Sequence, residues 1–87
     1  MAVYMVDRSL PGVTFEQLAA AQKAAIETSK RFTDQGKSVR YIRSMFVPAE
    51  ARCMCLFEAP TEQNVRELND RAKIPYTRVV EALDLTP

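Results

Sequence analysis

Apolar residues fall in both registers of the stretch 39–60, VRYIRSMFVPAEARCMCLFEAP, which reads as two strands folded back on each other at Pro48-Ala49-Glu50-Ala51. Simple alternation sends Val39, Tyr41, Arg43, Met45 and Val47 to one side of the first strand and Arg40, Ile42, Ser44 and Phe46 to the other. In the second run Cys53, Cys55, Phe57 and Ala59 share one face, and Arg52, Met54, Leu56 and Glu58 the other. Neither face is cleanly polar. A sheet covered on one side alone reads apolar inside and polar outside, so each face of this hairpin calls for a cover. The chain's own helices supply one; a second subunit is expected to supply the other.

The remaining pattern provides those helices. Residues 2–9 open the chain with Val3, Tyr4, Met5 and Val6, a run of strand formers stopped by Leu10-Pro11-Gly12. Thr14 stands where a helix N-cap is needed, with Gln17 three residues on as its capping-box partner and Val13 and Leu18 at the positions of a hydrophobic staple. Phe15, Leu18, Ala19, Ala25, Ile26 and Phe32 then recur at helical spacing to about Gln35, where Gly36 suits the C-terminal cap. Thr61 caps a second helix, with Glu62 in its first turn, an apolar stripe of Val65, Leu68 and Ala72, and Ile74-Pro75 at its end. A last strand is expected from Tyr76 to about Leu85.

The order β-α-β-β-α-β, with right-handed crossovers, predicts an α+β fold: a ferredoxin-like sandwich, one four-stranded antiparallel sheet with both helices on one face. All 87 residues form one domain in this reading. The second sheet face is left open. Because large apolar patches are uncommon on monomers, a homodimer through that open face is the expected assembly.

Composition narrows the function. A formal net charge of +1, with Lys and Arg scattered among nearly as many acids, argues against nucleic acid as a partner. No apolar run approaches the ~20 residues of a membrane span, and no secretory leader is evident, so a cytoplasmic protein with no membrane partner is expected. The chain has no histidine, which removes the usual imidazole base and the commonest zinc and nickel ligand. Cys53 and Cys55, at i and i+2 of one strand, are poorly placed for a mutual disulfide and read as reduced, buried thiols. Which sheet face they occupy is open: in the core they are packing groups, on the open face soft-metal candidates.

One constellation of functional groups can be built. With Tyr4, Val6, Ile42, Phe46, Val79 and Leu83 facing the helices, alternation puts Asp7 on the open face together with Tyr41, Arg43, Met45, Arg78 and Asp84. Leu56 and Glu58 join them if the third strand presents that side. Asp7, Tyr41, Arg43, Glu58 and Arg78 are therefore the candidate ligand-binding residues, although such mixed-charge clusters are more often structural ion pairs.

Several stretches resemble one family of short bacterial proteins: residues 4–12 (YMVDRSLPG), Val39-Arg40-Tyr41-Ile42-Arg43-Ser44, Cys53 with Phe57-Glu58-Ala59-Pro60, Val65-Arg66-Glu67, Arg71-Ala72 and Ile74-Pro75. That family, known as a domain of unknown function, includes a nickel-binding protein. The resemblance covers nearly the whole chain and implies a ferredoxin-like homodimer, with nickel held by histidines in some members. Where it would place those histidines this chain has Arg43 and, in the second helix, Leu68 or Asn69. None of these is a sensible nickel ligand. Of the remaining donors, only Cys53 and Glu58 match, and they point to opposite faces of one strand.

Two functions follow as expectations. The first is a non-enzymatic small-ligand or metal-binding homodimer in which Arg43 supplies the positive charge that a metal would bring, holding Asp7 or Glu58. The second is an enzyme of the dimeric α/β-barrel kind, resembling monooxygenases or muconolactone-type isomerases, whose mark would be a deep apolar pocket holding a polar group of shifted pKa.

Overall fold

Thr14 and Thr61 turn the chain into its two helices by the same device. Thr14 Oγ1 accepts the N–H of Gln17 at 3.1 Å, and the Gln17 side chain accepts the N–H of Thr14 at 2.9 Å, a complete capping box. Thr61 Oγ1 accepts the N–H of Asn64 at 3.2 Å. The computed structural model describes residues 1–87. Its elements are β1 (Ala2–Ser9), α1 (Phe15–Asp34), β2 (Arg40–Val47), a 3-10 turn at Pro48–Glu50, β3 (Arg52–Ala59), α2 (Glu62–Ala72) and β4 (Arg78–Ala82).

The strands form one antiparallel sheet in the order β2-β3-β1-β4. This is the predicted ferredoxin-like α+β arrangement. Tyr4, Val6, Phe57 and Val79 from the sheet close a core with Ala25 and Phe32 of α1 and Val65 and Leu68 of α2, so both helices lie on the same face. No helix is long and apolar enough to cross a membrane.

Backbone conformation sets the ends. Ala51 turns the hairpin corner with φ 50°, and its carbonyl takes the N–H of Leu10 at 2.7 Å. Lys73, at φ 59°, ends α2 before Ile74-Pro75 is reached. A left-handed conformation at a non-glycine residue is uncommon, and each of these stops a regular element.

Three expectations need correction. Ile42 is the extra residue of a β-bulge, because Tyr41 pairs with Phe57 while Arg43 pairs with Leu56. The bulge reverses alternation at that point. Tyr41 therefore lies on the helix face, its ring 5.5 Å edge-on from Phe57, and not on the open face with Arg43. Finally, β4 ends at Ala82, and Leu83, expected to face the helices, is 79% exposed.

Candidate functional site

On the open face the pairing brings Val3, Met5 and Asp7 of β1 beside Met54, Leu56 and Glu58 of β3, with Arg78, Val80 and Ala82 of β4 on one flank and Arg40, Arg43 and Met45 of β2 on the other. Asp7 is almost fully buried at one end. Arg52 clamps it bidentately, Nε to Oδ1 and Nη2 to Oδ2, both at 2.9 Å, and Arg78 Nε donates to Oδ2 at 3.2 Å. The Arg52 hydrogen bonds hold the Asp7 carboxyl below the ordinary carboxylate range; burial pulls the other way and Arg78 assists.

The five residues singled out from sequence do not form one cluster. Asp7 and Arg78 meet, with Arg52 as their third member. Glu58 lies four residues along β3 from Met54, the partner of Asp7, which places it ~13 Å away by strand rise. There it pairs with Arg40 at 3.2 Å, while Arg43 reaches Asp84 at 3.1 Å. Arg43 thus holds neither Asp7 nor Glu58. Tyr41 is on the other side of the sheet.

The concentrated chemistry lies on the covered face, where β3 directs both cysteines. Inward alternation along β1 runs Tyr4, Val6, Arg8, so a guanidinium enters the core, and Arg8 is only 2% exposed. No carboxylate pairs with it. Its Nη2 donates to Asn69 Oδ1 at 2.6 Å, its Nη1 to the Pro75 carbonyl at 3.2 Å, and its Nε to Cys55 Sγ at 3.5 Å. Asn69 is held in turn by its own donation to the Val65 carbonyl.

Cys55 Sγ is surrounded by donors. Ser44 Oγ donates to it at 3.0 Å, and Cys53 Sγ is 3.8 Å away. Gln22 Nε2 donates to Tyr41 Oη at 2.9 Å, leaving the tyrosine proton for Ser44 and the serine proton for the sulfur. The Cys53 thiol's hydrogen bond, together with the Arg8 charge and the Ser44 and Arg8 hydrogen bonds, draws Cys55 down to about 5 against the cost of burial. Cys53 moves up, because it keeps the shared proton and is itself desolvated. The result is a Cys55 sulfur biased toward its charged form beside the Arg8 guanidinium inside the fold.

This pair opens onto a cavity of about 160 Å³ between α1 and the sheet. Leu18, Ala21, Ala25, Phe46 and Ile74 form its apolar wall; Arg8, Ser44, Gln22 and the two cysteines form its polar end. The sequence signal for this site is Arg8, a charged residue in an inward register, where unpaired charge is rare.

A family described as "Nickel responsive protein SCO4226-like" matches residues 4–82. This chain belongs to that family. The crystal structure of SCO4226 from Streptomyces coelicolor A3(2) superposes with a TM-score of 0.80, covering 98% of this chain and 100% of the other at 24% identity, a likeness of fold. No curated protein matches the chain.

Membership of the SCO4226-like family raises nickel directly, and the residues present do not fit it within one chain. No three cysteine or carboxylate side chains converge on a point. Asp7, Glu58 and Asp84 are each engaged by arginine. Cys53 and Cys55 could offer two sulfurs, but the Arg8 guanidinium puts a fixed positive charge where the cation would sit.

Proposed function

We propose that this SCO4226-like protein is a non-enzymatic, small-ligand-binding homodimer of the cytoplasm, with its ligand in the cavity between α1 and the sheet. The observation that carries this reading is a cavity of about 160 Å³ with an apolar wall and a single charged end at Arg8 and Cys55. A dry cavity of that order accommodates a benzene-sized molecule, and convergent polar groups at one end give such a site its orientation. The open sheet face, apolar along its middle and ion-paired at its ends, supports pairing of two chains there, and a reducing compartment suits two free thiols.

The enzymatic alternative draws support from the shifted Cys55 thiol. It fits less well, because a dimeric α/β-barrel enzyme works between two sheets, whereas this cavity lies under a helix of its own chain. Titration of isotope-labelled protein with phenol and with benzoate, followed by amide NMR, tests the binding reading. The expected shifts centre on Leu18, Ala21, Ser44 and Cys55. Shifts confined to the open face, or no saturable shifts at millimolar ligand, would sink it.

A further inference from the structure

Cys55 Sγ accepts from Arg8 Nε and Ser44 Oγ, and Cys53 Sγ lies 3.8 Å away. Arginine has no acceptor atom, and the Gln22–Tyr41–Ser44 relay directs its last proton at the sulfur. The buried Arg8 charge has no carboxylate within reach, so the Cys55 sulfur is its counter-ion. The same sulfur borders the cavity. A buried structural ion pair needs neither a space beside it nor a line of hydroxyls aimed at it. Both are what a nucleophilic sulfur requires when a neighbouring bond breaks and negative charge develops on the departing atom.

We propose that Cys55 is a nucleophilic sulfur that reduces small hydroperoxides entering the cavity, leaving a sulfenic acid on Cys55. This inference rests on the cavity as a space that admits a small molecule, and it departs from the non-enzymatic part of the proposed function by giving that molecule a reaction at Cys55. The thiolate attacks the terminal peroxide oxygen: an S–O bond forms as the O–O bond breaks, sulfur is oxidised by two electrons, and the peroxide is reduced. The departing alkoxide or hydroxide takes a proton from water and leaves as an alcohol or water. Arg8 and Ser44, already within hydrogen-bonding distance of the sulfur, face the oxygen that carries the developing charge. Cys53, on the same extended strand two residues away, is poorly placed to close a disulfide. The sulfenic acid is therefore returned by a low-molecular-weight thiol: it forms a mixed disulfide with loss of water, and a second thiol releases the Cys55 thiolate.

Among the residues around the cavity, Arg8 is the charged group and Cys53 the other titratable one, with the Tyr41 hydroxyl one hydrogen bond further out. The wild-type reactivity is therefore expected to follow Cys55 alone across neutral pH.

The test treats reduced, untagged full-length protein with hydrogen peroxide and with cumene hydroperoxide, traps sulfenic acid with dimedone, and locates the adduct by peptide mass spectrometry. The expected adduct is on Cys55, formed at least ~10-fold faster than in the same protein unfolded in denaturant at the same pH. The rate should change less than about twofold between pH 8 and pH 6, whereas an ordinary thiol loses on the order of a hundredfold of its thiolate over that range. Ser44→Ala, which keeps the core intact, should slow the reaction several-fold. An adduct on Cys53, an ordinary thiol's pH profile, or a rate no greater than in denaturant would overturn the proposal. Saturable phenol or benzoate shifts at the cavity with an inert Cys55 would likewise overturn it while leaving the binding reading in place. Oxidation of Cys55 without any such shifts would support it and remove the binding reading.

Discussion

Arg8 and Cys55 are 47 residues apart in the chain, yet Arg8 Nε donates to Cys55 Sγ at 3.5 Å with both side chains buried. The contact follows from register: β1 and β3 pair antiparallel with Val6 opposite Cys55 and Arg8 opposite Cys53, so the guanidinium lies across the inward side of two adjacent cysteine positions. A buried cation is costly unless an anion offsets it. In this fold the group offered to that cation is the Cys55 sulfur.

Replacing Arg8 with methionine should therefore do two things together. It removes the counter-ion, so the Cys55 thiol should titrate closer to the ordinary value near 8.5, seen as a shift of the thiolate absorbance midpoint. It also leaves Asn69 Oδ1 and the Pro75 carbonyl without their donor, which should lower unfolding stability by roughly 2–4 kcal/mol in urea titration. A loss of stability with an unmoved thiol midpoint would disconnect the two residues.

The thiol pair also makes stability depend on pH with a definite sign. Cys55, near 5 in the folded chain and near 8.5 unfolded, contributes stability that is fully present above the unfolded value and lost as pH falls toward 5. Cys53 moves the other way: its folded thiol keeps a proton that the unfolded chain releases above about 8.5, so its contribution is lost as pH rises beyond that point. Stability relative to the Cys53→Ala/Cys55→Ala double variant should climb from pH 5 to about 8.5 and then decline. A flat difference across that range would contradict the thiolate assignment.

Much of the fold is legible in the sequence. Thr14 with Gln17, Thr61 and Gly36 marked the helix ends because capping is local chemistry, and the order of elements selected the sheet. The bulge at Ile42 was not legible, because neither face of Arg40 to Phe46 is cleanly polar and no mismatch in the pattern marks an extra residue; only pairing with Leu56 and Phe57 reveals it. That single residue moved Tyr41 from the open face to the relay beneath α1. Leu83 and Leu85 read as strand because they are apolar, but Thr77 anchors β4 to the Asp7 carbonyl at one end and Ala82 is its last paired residue at the other. The open-face charges were found as residues but grouped wrongly, since which arginine meets which acid depends on side-chain reach. Arg8 falls in the inward register of β1 beside Tyr4 and Val6 but was not singled out from the sequence, because its meaning depends on a sulfur 47 residues away.

Asp7 offers a separate check on the open face. Its carboxylate is buried, but Arg52 and Arg78 are 40% and 55% exposed, which weakens each pair through solvent screening. Asp7→Asn should cost about 1 kcal/mol at neutral pH. Because the folded carboxyl is held below its usual value, the wild-type advantage should persist above about pH 4 and disappear as pH falls through the folded value. A difference between wild type and variant that does not change with pH from neutral into the acid range would mean the charged pairs contribute nothing.

The proposed pairing of two chains can be tested at the middle of the same face. Met54 sits between Asp7 on β1 and Met45 on β2, next to the Asp7–Arg52 end, and Leu56 between Met5 and Arg43, so a charge introduced at either falls on the apolar middle of the face. Met45 is 60% exposed in the lone chain, and covering it with Met54, Leu56, Met5 and Val80 from a second copy would remove that apolar surface from water. A two-fold axis through this patch would place each chain's Met54 near its copy, so a glutamate there also meets a like charge. Light scattering on wild-type protein should give twice the 9.8 kDa chain mass, and Met54→Glu should give the single chain mass with the same helical circular dichroism. The Cys55 cavity lies on the opposite side of the sheet, so the monomeric variant should keep its fragment shifts and its thiol midpoint. A wild-type chain that scatters as 9.8 kDa at micromolar concentration would rule out the homodimer outright.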